Sequence, residues 1–147
     1  MSRPPTEYRV NAEVVAGGRA TLTAGNQVIP LDATWAADDI SAEPGPAELL
    51  AGAFAACLMK NLERSAVLLS LRYERASVDV RARRQDVPPR FVEIEYEMQL
   101  LTNESQHRID LLHRNLRRFG TVYNTLAAVC DVHGHVVAKS PQAPTPR

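Results

Sequence analysis

The 147-residue sequence predicts one α+β domain in which short strands pack against a long, largely apolar helix. Several segments alternate apolar with polar residues and are separated by Gly-Gly, Gly-Asn or Pro-Pro pairs, the pattern of strands joined by turns. Between them lies a continuous run of helix-forming, mostly apolar residues from Ala47 to Met59. We expect a single domain over residues 1–147, with 1–7 and 139–147 flexible.

The composition argues against several functional classes. Lys plus Arg and Asp plus Glu both number 17, so the formal charge is zero, whereas nucleic-acid binders carry a clustered basic excess. The N-terminal residues include no apolar signal core, and the run at 47–59 is too short to span a membrane and carries Glu48. We therefore expect a cytoplasmic protein without nucleic-acid or membrane partners, whose two cysteines are thiols rather than a structural disulfide.

The first third of the chain predicts three short strands followed by a loop. Gly17-Gly18 and Gly25-Asn26 mark the turns between the strands, and the loop runs from Asp32 to Gly45. The predicted strands are Tyr8–Val15, Arg19–Thr23 and Val28–Leu31.

The long helix is predicted from Pro46, a residue tolerated at a first helical position, to about Leu69. Because its first half is apolar nearly all round, we expect burial on every side as far as Met59, and an amphipathic, emerging second half.

The C-terminal half predicts two strands, two helices and a final strand. On the second strand Glu93, Glu95 and Glu97 alternate with core residues, and antiparallel pairing sets them opposite arginines of the first. Thr102 or Asn103 is the expected N-cap of the first of these helices, and Gly120 its C-cap. The elements are Ala76–Arg84, Phe91–Leu101, Ser105–Phe119, Val122–Ala127 and Val129–Ala138.

The resulting order is β-β-β-α-β-β-α-α-β, and three motifs in that order carry a family resemblance. They are G-G-R at 17–19, G-P-A-E-L-L-A-G-A-F-A-A-C at 45–57 and R-F-G-T-V-Y-N-T-L at 118–126. From about Tyr8 to Val137 the chain resembles the OsmC/Ohr family, the osmotically inducible and organic-hydroperoxide-resistance proteins. The resemblance implies an intertwined homodimer with long central helices packed between two sheets, two sites at the subunit interface, and thiol-dependent reduction of hydroperoxides.

Cys57 is the catalytic residue that the resemblance implies. A free thiol with a pKa of about 8.5 is mostly protonated at neutral pH, so a reactive cysteine in apolar surroundings needs a nearby cation. Cys57 lies about three turns into its helix, too far for the helix N-terminus to help much. Arg19 matches the family arginine by its G-G-R context and is assigned to stabilise the thiolate; the alternative is a solvent-facing hairpin arginine.

A glutamate that holds this arginine stands ten residues before the cysteine in the family's peroxidases, where this sequence has Ala47. The neighbouring Glu48 is the candidate replacement. On an ideal helix, its nine-residue offset puts it on the face opposite Cys57. The alternative is a first-turn glutamate favoured by the helix dipole, and both interpretations stay open.

The family's second cysteine aligns with Gly120 or Thr121, neither of which carries a thiol. Cys130 is the remaining candidate for resolving an oxidised Cys57. Its position in the predicted final strand groups it with Val132 and Val136, which also fits a cysteine packed in the core. If the two cysteines cannot meet, an external thiol must resolve the sulfenic acid.

The remaining candidates concern the pocket and possible metal binding. Phe54, Trp35 and Tyr123 are candidate walls of a substrate pocket, although core packing also uses such residues. The D-x-H-x-H sequence at 131–135 puts three potential ligands on one strand face, a pattern more typical of solvated strands, and we predict no metal or cofactor. His107 and His113 are interpreted as surface residues.

Two hypotheses follow from the sequence. The first is a dimeric, cysteine-based hydroperoxide reductase active in oxidative-stress defence, acting on organic hydroperoxides and on hydrogen peroxide, and regenerated by an external thiol. The second is a non-catalytic protein of the same fold that binds a small hydrophobic ligand at the dimer interface, with Cys57 only as part of the wall. The altered glutamate and second-cysteine positions favour the second hypothesis.

Overall fold

The computed structural model describes residues 3–35 and 42–141. The predicted order of elements is confirmed: three strands, a long helix, two strands, two helices and a strand. The elements are β1 (Asn11–Val15), β2 (Arg19–Ala24), β3 (Gln27–Asp32), α1 (Pro46–Leu69), β4 (Arg75–Asp86), β5 (Pro89–Leu101), α2 (Gln106–Phe119), α3 (Thr121–Ala127) and β6 (Asp131–Lys139). Parts of the predicted 32–45 loop and of both termini lie outside the described residues.

The chain forms two compact units that divide between Leu49 and Leu50. The first contains the antiparallel meander β1-β2-β3, with Gly25-Asn26 as the two-residue turn between β2 and β3. One face of this sheet is aliphatic. Side chains alternate between the two faces along each strand, and the pairing of the strands places six aliphatic side chains on one face. They are Ala12, Val14, Ala20, Leu22, Ile29 and Leu31.

The turn between β1 and β2 depends on glycine. Gly17 and Gly18 have φ values of 104° and 95°, in the left-handed region that other residues rarely adopt. A Cβ on Gly18 would also lie 2.8 Å from Cγ2 of Thr34. Thr34 is held in turn by Asp32, whose carboxylate accepts hydrogen bonds from its amide and hydroxyl groups at 2.9 and 2.6 Å. The turn that precedes Arg19, the first residue of β2, is therefore held in place by the contact between Gly18 and Thr34.

The second unit contains the sheet β4-β5-β6, with α1, α2 and α3 on one face. β5 is central, antiparallel to β4 and parallel to β6. Ile94, Tyr96, Met98 and Leu100 of β5 are buried beneath the helices, as predicted. Tyr96 contacts aromatic rings of all three helices, namely Phe54, His113 and Tyr123. The core of this unit is thus built around the central strand.

Gly134 of β6 allows this arrangement. It pairs with Tyr96 in the parallel register. A Cβ at Gly134 would lie 2.2 Å from the Tyr96 carbonyl oxygen and 2.5 Å from Cγ of its ring. The ring therefore occupies the space that any larger residue at 134 would need.

The opposite face of the sheet carries two of the three predicted charge pairs, because Glu97 lies opposite Asp79 and not opposite an arginine. Arg81 and Arg83 lie opposite Glu95 and Glu93 and form ion pairs with them, the latter at 3.3 Å. Both arginines are largely exposed, so each pair contributes at most about 1 kcal/mol to stability. These charges belong to a solvated face.

Several predicted boundaries were wrong for identifiable reasons. β1 begins at Asn11 rather than Tyr8, because its pairing with β2 extends only to Thr23, opposite Asn11, and β2 itself ends one residue later. β6 begins at Asp131 rather than Val129, because the amides of Val129 and Cys130 both bond to the Leu126 carbonyl at the end of α3. Cys130 therefore precedes the strand in which it was predicted.

The predicted N-cap of α2 was also wrong, and the all-round burial predicted for α1 is not present in the single chain. Ser105 caps α2 by accepting a hydrogen bond from the Arg108 amide, while the Thr102 hydroxyl donates to the Arg72 carbonyl. Within the single chain α1 buries one face, including Phe54 and Leu58, while the small residues Gly52, Ala53 and Ala56 are exposed.

The end of α1 is joined to the start of α2 through Glu104. Its carboxylate accepts hydrogen bonds from the Arg72 amide at 2.8 Å and from Arg108 Nε at 2.6 Å. Arg108 also donates to the carbonyl of Leu69, the last residue of α1. Hydrogen bonds to the ionised form, first of all from the Arg72 amide, lower the pKa of Glu104 below its ordinary value of 4.5.

We predict that Glu104→Gln removes a pH-dependent part of the stability. A carboxylate with a lowered pKa in the folded state stabilises the fold above its unfolded pKa, and this contribution is lost as the pH falls through the folded value. The difference in free energy of unfolding between wild type and E104Q should be largest near neutral pH and should decrease as the pH falls below 4.5. Urea unfolding at a series of pH values measures it.

The matched control is Glu74→Gln. Glu74 is exposed, and its side chain has no hydrogen bond or ion pair with a described residue. A pH dependence changed equally by E74Q would contradict the role given to Glu104.

Candidate functional site

Cys57 lies in the middle of α1, where it is half-buried and a free thiol. Phe54 precedes it by three residues and is fully buried, and Asn61 follows by four and is 6% exposed. Residues three and four apart on a helix are neighbours on one face. Cys57 therefore lies at the edge of the buried face of α1, between an aromatic ring and an amide.

The sulfur of Cys57 packs against Gly120, the single residue between α2 and α3. A Cβ on Gly120 would lie only 2.8 Å from Sγ of Cys57 and 3.0 Å from Cβ of Tyr123. Gly120 has φ −79° and ψ 123°, values that any residue adopts, so glycine is needed here for space and not for its conformational freedom. The absence of a side chain at 120 makes room for the thiol.

Asn61 holds the same corner in place. Its side-chain amide donates to the carbonyl oxygens of Asn115 and Leu116 in the last turn of α2, at 3.2 and 3.4 Å. The last carbonyls of a helix lack intrahelical partners, and an unpaired buried polar group costs about 1–3 kcal/mol. This bond therefore fixes the end of α2 against α1, beside the cysteine.

An aromatic cluster forms the wall next to the cysteine. Phe54 stacks on Tyr123 with a ring-centroid distance of 5.5 Å, and Tyr96 meets Tyr123 edge-on at 6.1 Å. Two of the predicted pocket residues, Phe54 and Tyr123, thus contact each other, and Tyr123 Cβ faces Gly120. Trp35, the third, is 99% exposed in the first unit.

The surface assignment of His113 was wrong, because its ring reaches the core. It is half-buried and lies 2.7 Å from the Tyr96 hydroxyl through Nε2. Burial is the largest cause that lowers the pKa of His113, followed by the charges of Arg117 and His135. Burial also raises the pKa of Tyr96, with Tyr123 adding to the effect. Both shifts favour neutral side chains, so the phenol can donate to the imidazole.

Arg19 begins β2 in the first unit, whereas Cys57 belongs to the second. Arg19 is exposed and lines a groove of the first unit together with Gly18, Thr34, Glu13 and Glu43. Its guanidinium forms no ion pair with any residue of 3–35 or 42–141.

Glu48 lies in the first turn of α1, and Oε2 of its carboxylate is 3.3 Å from the position that a Cβ on Gly45 would take. It makes no ion pair with a described residue. Both interpretations of this residue therefore remain as stated.

Cys130 is also a free, half-buried thiol. Its Sγ donates a hydrogen bond to the carbonyl oxygen of Phe91 at 3.4 Å. Its sulfur therefore contacts the start of β5, whereas the sulfur of Cys57 contacts the corner between α2 and α3.

The acidic and histidine residues of β6 lie on the solvated face of the sheet. Donor atoms of Asp131, His133 and the neighbouring Glu93 lie within 4.8 Å of one another. Glu93 is ion-paired with Arg83, and His133 Nδ1 lies 3.6 Å from Asp131. Charge pairing on an exposed sheet accounts for these groups.

The sequence matches the family described as OsmC-like protein over residues 37–133, and the chain belongs to this family. The match includes Cys57, Glu48, Tyr123 and Cys130, whereas Arg19 and Trp35 precede it. No curated protein gives a significant sequence match.

Solved structures share the fold at low sequence identity. An OsmC-like protein from Mycoplasma pneumoniae is 19% identical with a TM-score of 0.78, covering 90% of this chain and 98% of that one. The organic hydroperoxide resistance protein OsmC from Legionella pneumophila is 17% identical, with a TM-score of 0.72 and coverages of 90% and 99%. The organic hydroperoxide resistance protein OhrB of Bacillus subtilis is 18% identical, with a TM-score of 0.65 and coverages of 90% and 98%.

Sequence reasoning found Cys57 but missed the contacts of Asn61 and Gly120. A polar residue four positions after the cysteine, in a helix with an apolar buried face, was the available signal for Asn61. From the sequence alone, Gly120 is a helix cap and a position that aligns with the family's second cysteine. Its contact with the sulfur depends on how two distant helices pack.

We predict that Gly120→Cys forms a disulfide with Cys57. In a disulfide each Cβ lies about 3 Å from the sulfur of the other cysteine. A Cβ at position 120 would lie 2.8 Å from Sγ of Cys57, which matches this distance. Intact mass and thiol counting after mild oxidation should show the loss of two thiols. Thr121→Cys, one residue further and exposed, is the control, and preferential bridging from position 121 would contradict the packing described here.

Proposed function

We propose that the protein is a cytoplasmic, homodimeric thiol peroxidase that reduces organic hydroperoxides through Cys57. Three observations support the proposal: the OsmC-like family, structural neighbours named as organic hydroperoxide resistance proteins, and the placement of Cys57. The last of these carries it, because a free thiol beside an aromatic wall offers an apolar peroxide both a nucleophile and a binding surface.

The proposed reaction has two stages. The Cys57 thiolate attacks the terminal oxygen of the hydroperoxide, the O–O bond breaks, and the alkoxide takes a proton and leaves as the alcohol. The sulfur, oxidised by two electrons, is now a sulfenic acid. An external thiol displaces water to form a mixed disulfide, and a second thiol restores the cysteine while becoming oxidised itself.

External resolution fits the surroundings of the sulfur. Gly120, which packs against Cys57, carries no thiol, and the Cys130 sulfur is bonded to a carbonyl of β5. Hydrogen peroxide is a second, smaller substrate in this proposal.

Arg19 is proposed to stabilise the thiolate and the developing negative charge on the leaving oxygen. A guanidinium without a carboxylate partner is suited to this role, and Arg19 has none among the described residues. Glu48 forms no ion pair with Arg19 within the described chain, so its role in orienting this arginine is proposed for the dimer alone.

The homodimer is supported by the apolar surface of the chain. All residues in the buried core come from the second unit, from Phe54 to Leu126. In the first unit, by contrast, Val10 and Val14 are more than 60% exposed. A small sheet whose aliphatic face is partly exposed is unstable in water by itself, so we propose that a second copy of the chain covers it.

A second candidate function is non-catalytic binding of a small hydrophobic ligand. Ala47 and Gly120 stand where the family's peroxidases have a glutamate and a second cysteine, and this departure favours a binding role. Stoichiometric sulfenic acid or mixed disulfide at Cys57 after peroxide treatment supports the enzyme, whereas resistance to alkylation and oxidation supports the binder.

We predict that Cys57→Ser abolishes turnover of cumene hydroperoxide with a thiol reductant, since serine cannot be oxidised in this way. Cys130→Ser should keep most of the activity, because its thiol is not needed for external resolution. Peroxide consumption measured for both variants and wild type, with cumene hydroperoxide and hydrogen peroxide, tests this. Equal loss in both variants would mean that Cys130 takes part in turnover.

We predict that Arg19→Gln slows alkylation of Cys57 by iodoacetamide at neutral pH by about tenfold or more, since loss of a close cation costs the thiolate at least 1.4 kcal/mol. Peptide mass spectrometry of Cys57 at successive times measures the rate. Arg9→Gln, on the exposed segment before β1, is the matched control and should leave the rate unchanged. An unchanged rate in R19Q would remove Arg19 from the proposed mechanism.

We predict a mass of twice the chain in sedimentation velocity and a shift toward monomer for Val14→Asp, which places a charge on the aliphatic sheet face. Val87→Asp is the control, because Val87 is 89% exposed at the turn between β4 and β5. A monomeric wild type at micromolar concentration would contradict the dimer.

A further inference from the structure

Three arginines line a surface pocket in the second unit, on the side of α2 that faces α3 and β6. Arg114, Arg117 and Arg118 lie within the last two turns of α2. Tyr123 and Ala127 of α3 and Val132 of β6 complete the lining, and the pocket has a volume of about 440 Å³. The pocket thus combines three cations with a floor that is aromatic and aliphatic.

None of these three guanidinium groups has a carboxylate partner among the described residues. Asp110 stands four residues before Arg114, at the spacing of a helical ion pair, yet its carboxylate accepts a hydrogen bond from Gln106 at 2.9 Å. Some arginines elsewhere are paired, as Arg81 is with Glu95 and Arg108 with Glu104. Others, such as Arg75 and Arg90, stand singly without a carboxylate partner among the described residues, but here three unpaired arginines line one pocket. The positive charge is therefore concentrated locally in a chain whose formal charge is zero.

Helix-end chemistry explains only part of this cluster. Arg117 and Arg118 are in the last turn of α2, where cations interact favourably with the helix dipole. Arg114 lies a turn earlier, and like charges three and four residues apart repel. The charge of Arg117 also reaches inward, since after burial it is the next cause that lowers the pKa of His113. An anion bound in the pocket would offset this repulsion.

We infer that the pocket lined by Arg114, Arg117, Arg118 and Tyr123 binds a phosphate-bearing small molecule. Guanidinium groups bind phosphate oxygens through paired, charge-assisted hydrogen bonds, and three of them match the multiple charge of a phosphomonoester or diphosphate better than that of a single carboxylate. Tyr123, Ala127 and Val132 provide apolar contacts for an organic group attached to the phosphate. Tyr123 also belongs to the aromatic wall beside Cys57, but the phosphate contacts inferred here come from the arginines of α2 and do not require the thiol.

The test is titration calorimetry of the purified protein with inorganic pyrophosphate at low ionic strength. We expect one binding site per chain, and about tenfold weaker binding for each of Arg114→Gln and Arg117→Gln, since removing one charge-assisted contact costs roughly that factor. Arginine and tyrosine resonances of the pocket should shift in nuclear magnetic resonance spectra on addition of pyrophosphate.

Arg75→Gln and Arg90→Gln are the matched controls. Each removes the same charge from an exposed position on β4 or β5, outside the pocket. If the control variants bind pyrophosphate as weakly as the pocket variants do, the loss of affinity reflects net charge alone, and the inference is overturned. It is also overturned if the wild-type protein does not bind pyrophosphate. Citrate binding as tightly as pyrophosphate would overturn the assignment to phosphate. Circular dichroism of each variant confirms that its fold is intact.

Discussion

The packing of α1 against the corner between α2 and α3 is the constraint on which the candidate site depends. Gly120 provides the space into which the Cys57 sulfur fits, and Asn61, one turn further along α1, bonds to the last carbonyls of α2. These contacts have two effects. They provide hydrogen-bond donors for carbonyl groups near the end of α2, and they fix the position of the Cys57 thiol. A larger residue at 120 would have to displace either the sulfur or Tyr123.

The two units of the chain distribute apolar side chains very differently. The second has a closed core in which Tyr96 of the central strand meets a ring from each helix. The first has a sheet with one aliphatic face and no member of that core. This asymmetry is the physical basis for proposing a second copy of the chain. No helix among the described residues is long and apolar enough to cross a membrane.

Charge follows two patterns in the second unit. On the open face of the sheet, rows of opposite sign lie side by side, which keeps an exposed sheet solvated without creating a strong field. At the end of α2 the positive charges have no such partners among the described residues. The first pattern was visible as alternation in the sequence, whereas the second depends on α3 and β6 completing a pocket.

The sequence alone determined the element order, the bounds of α1 and the alternation that buries one side of β5, since these depend on local propensity and periodicity. It also indicated the cysteine, because Cys57 is the only thiol in the most apolar run. Only the tertiary structure showed which residues lie next to Cys57 and Tyr96. Gly120 lies 63 positions from Cys57, and His113 reaches Tyr96 only because α2 packs on that sheet face. Contacts between residues so far apart arise from how elements pack, which periodicity does not encode.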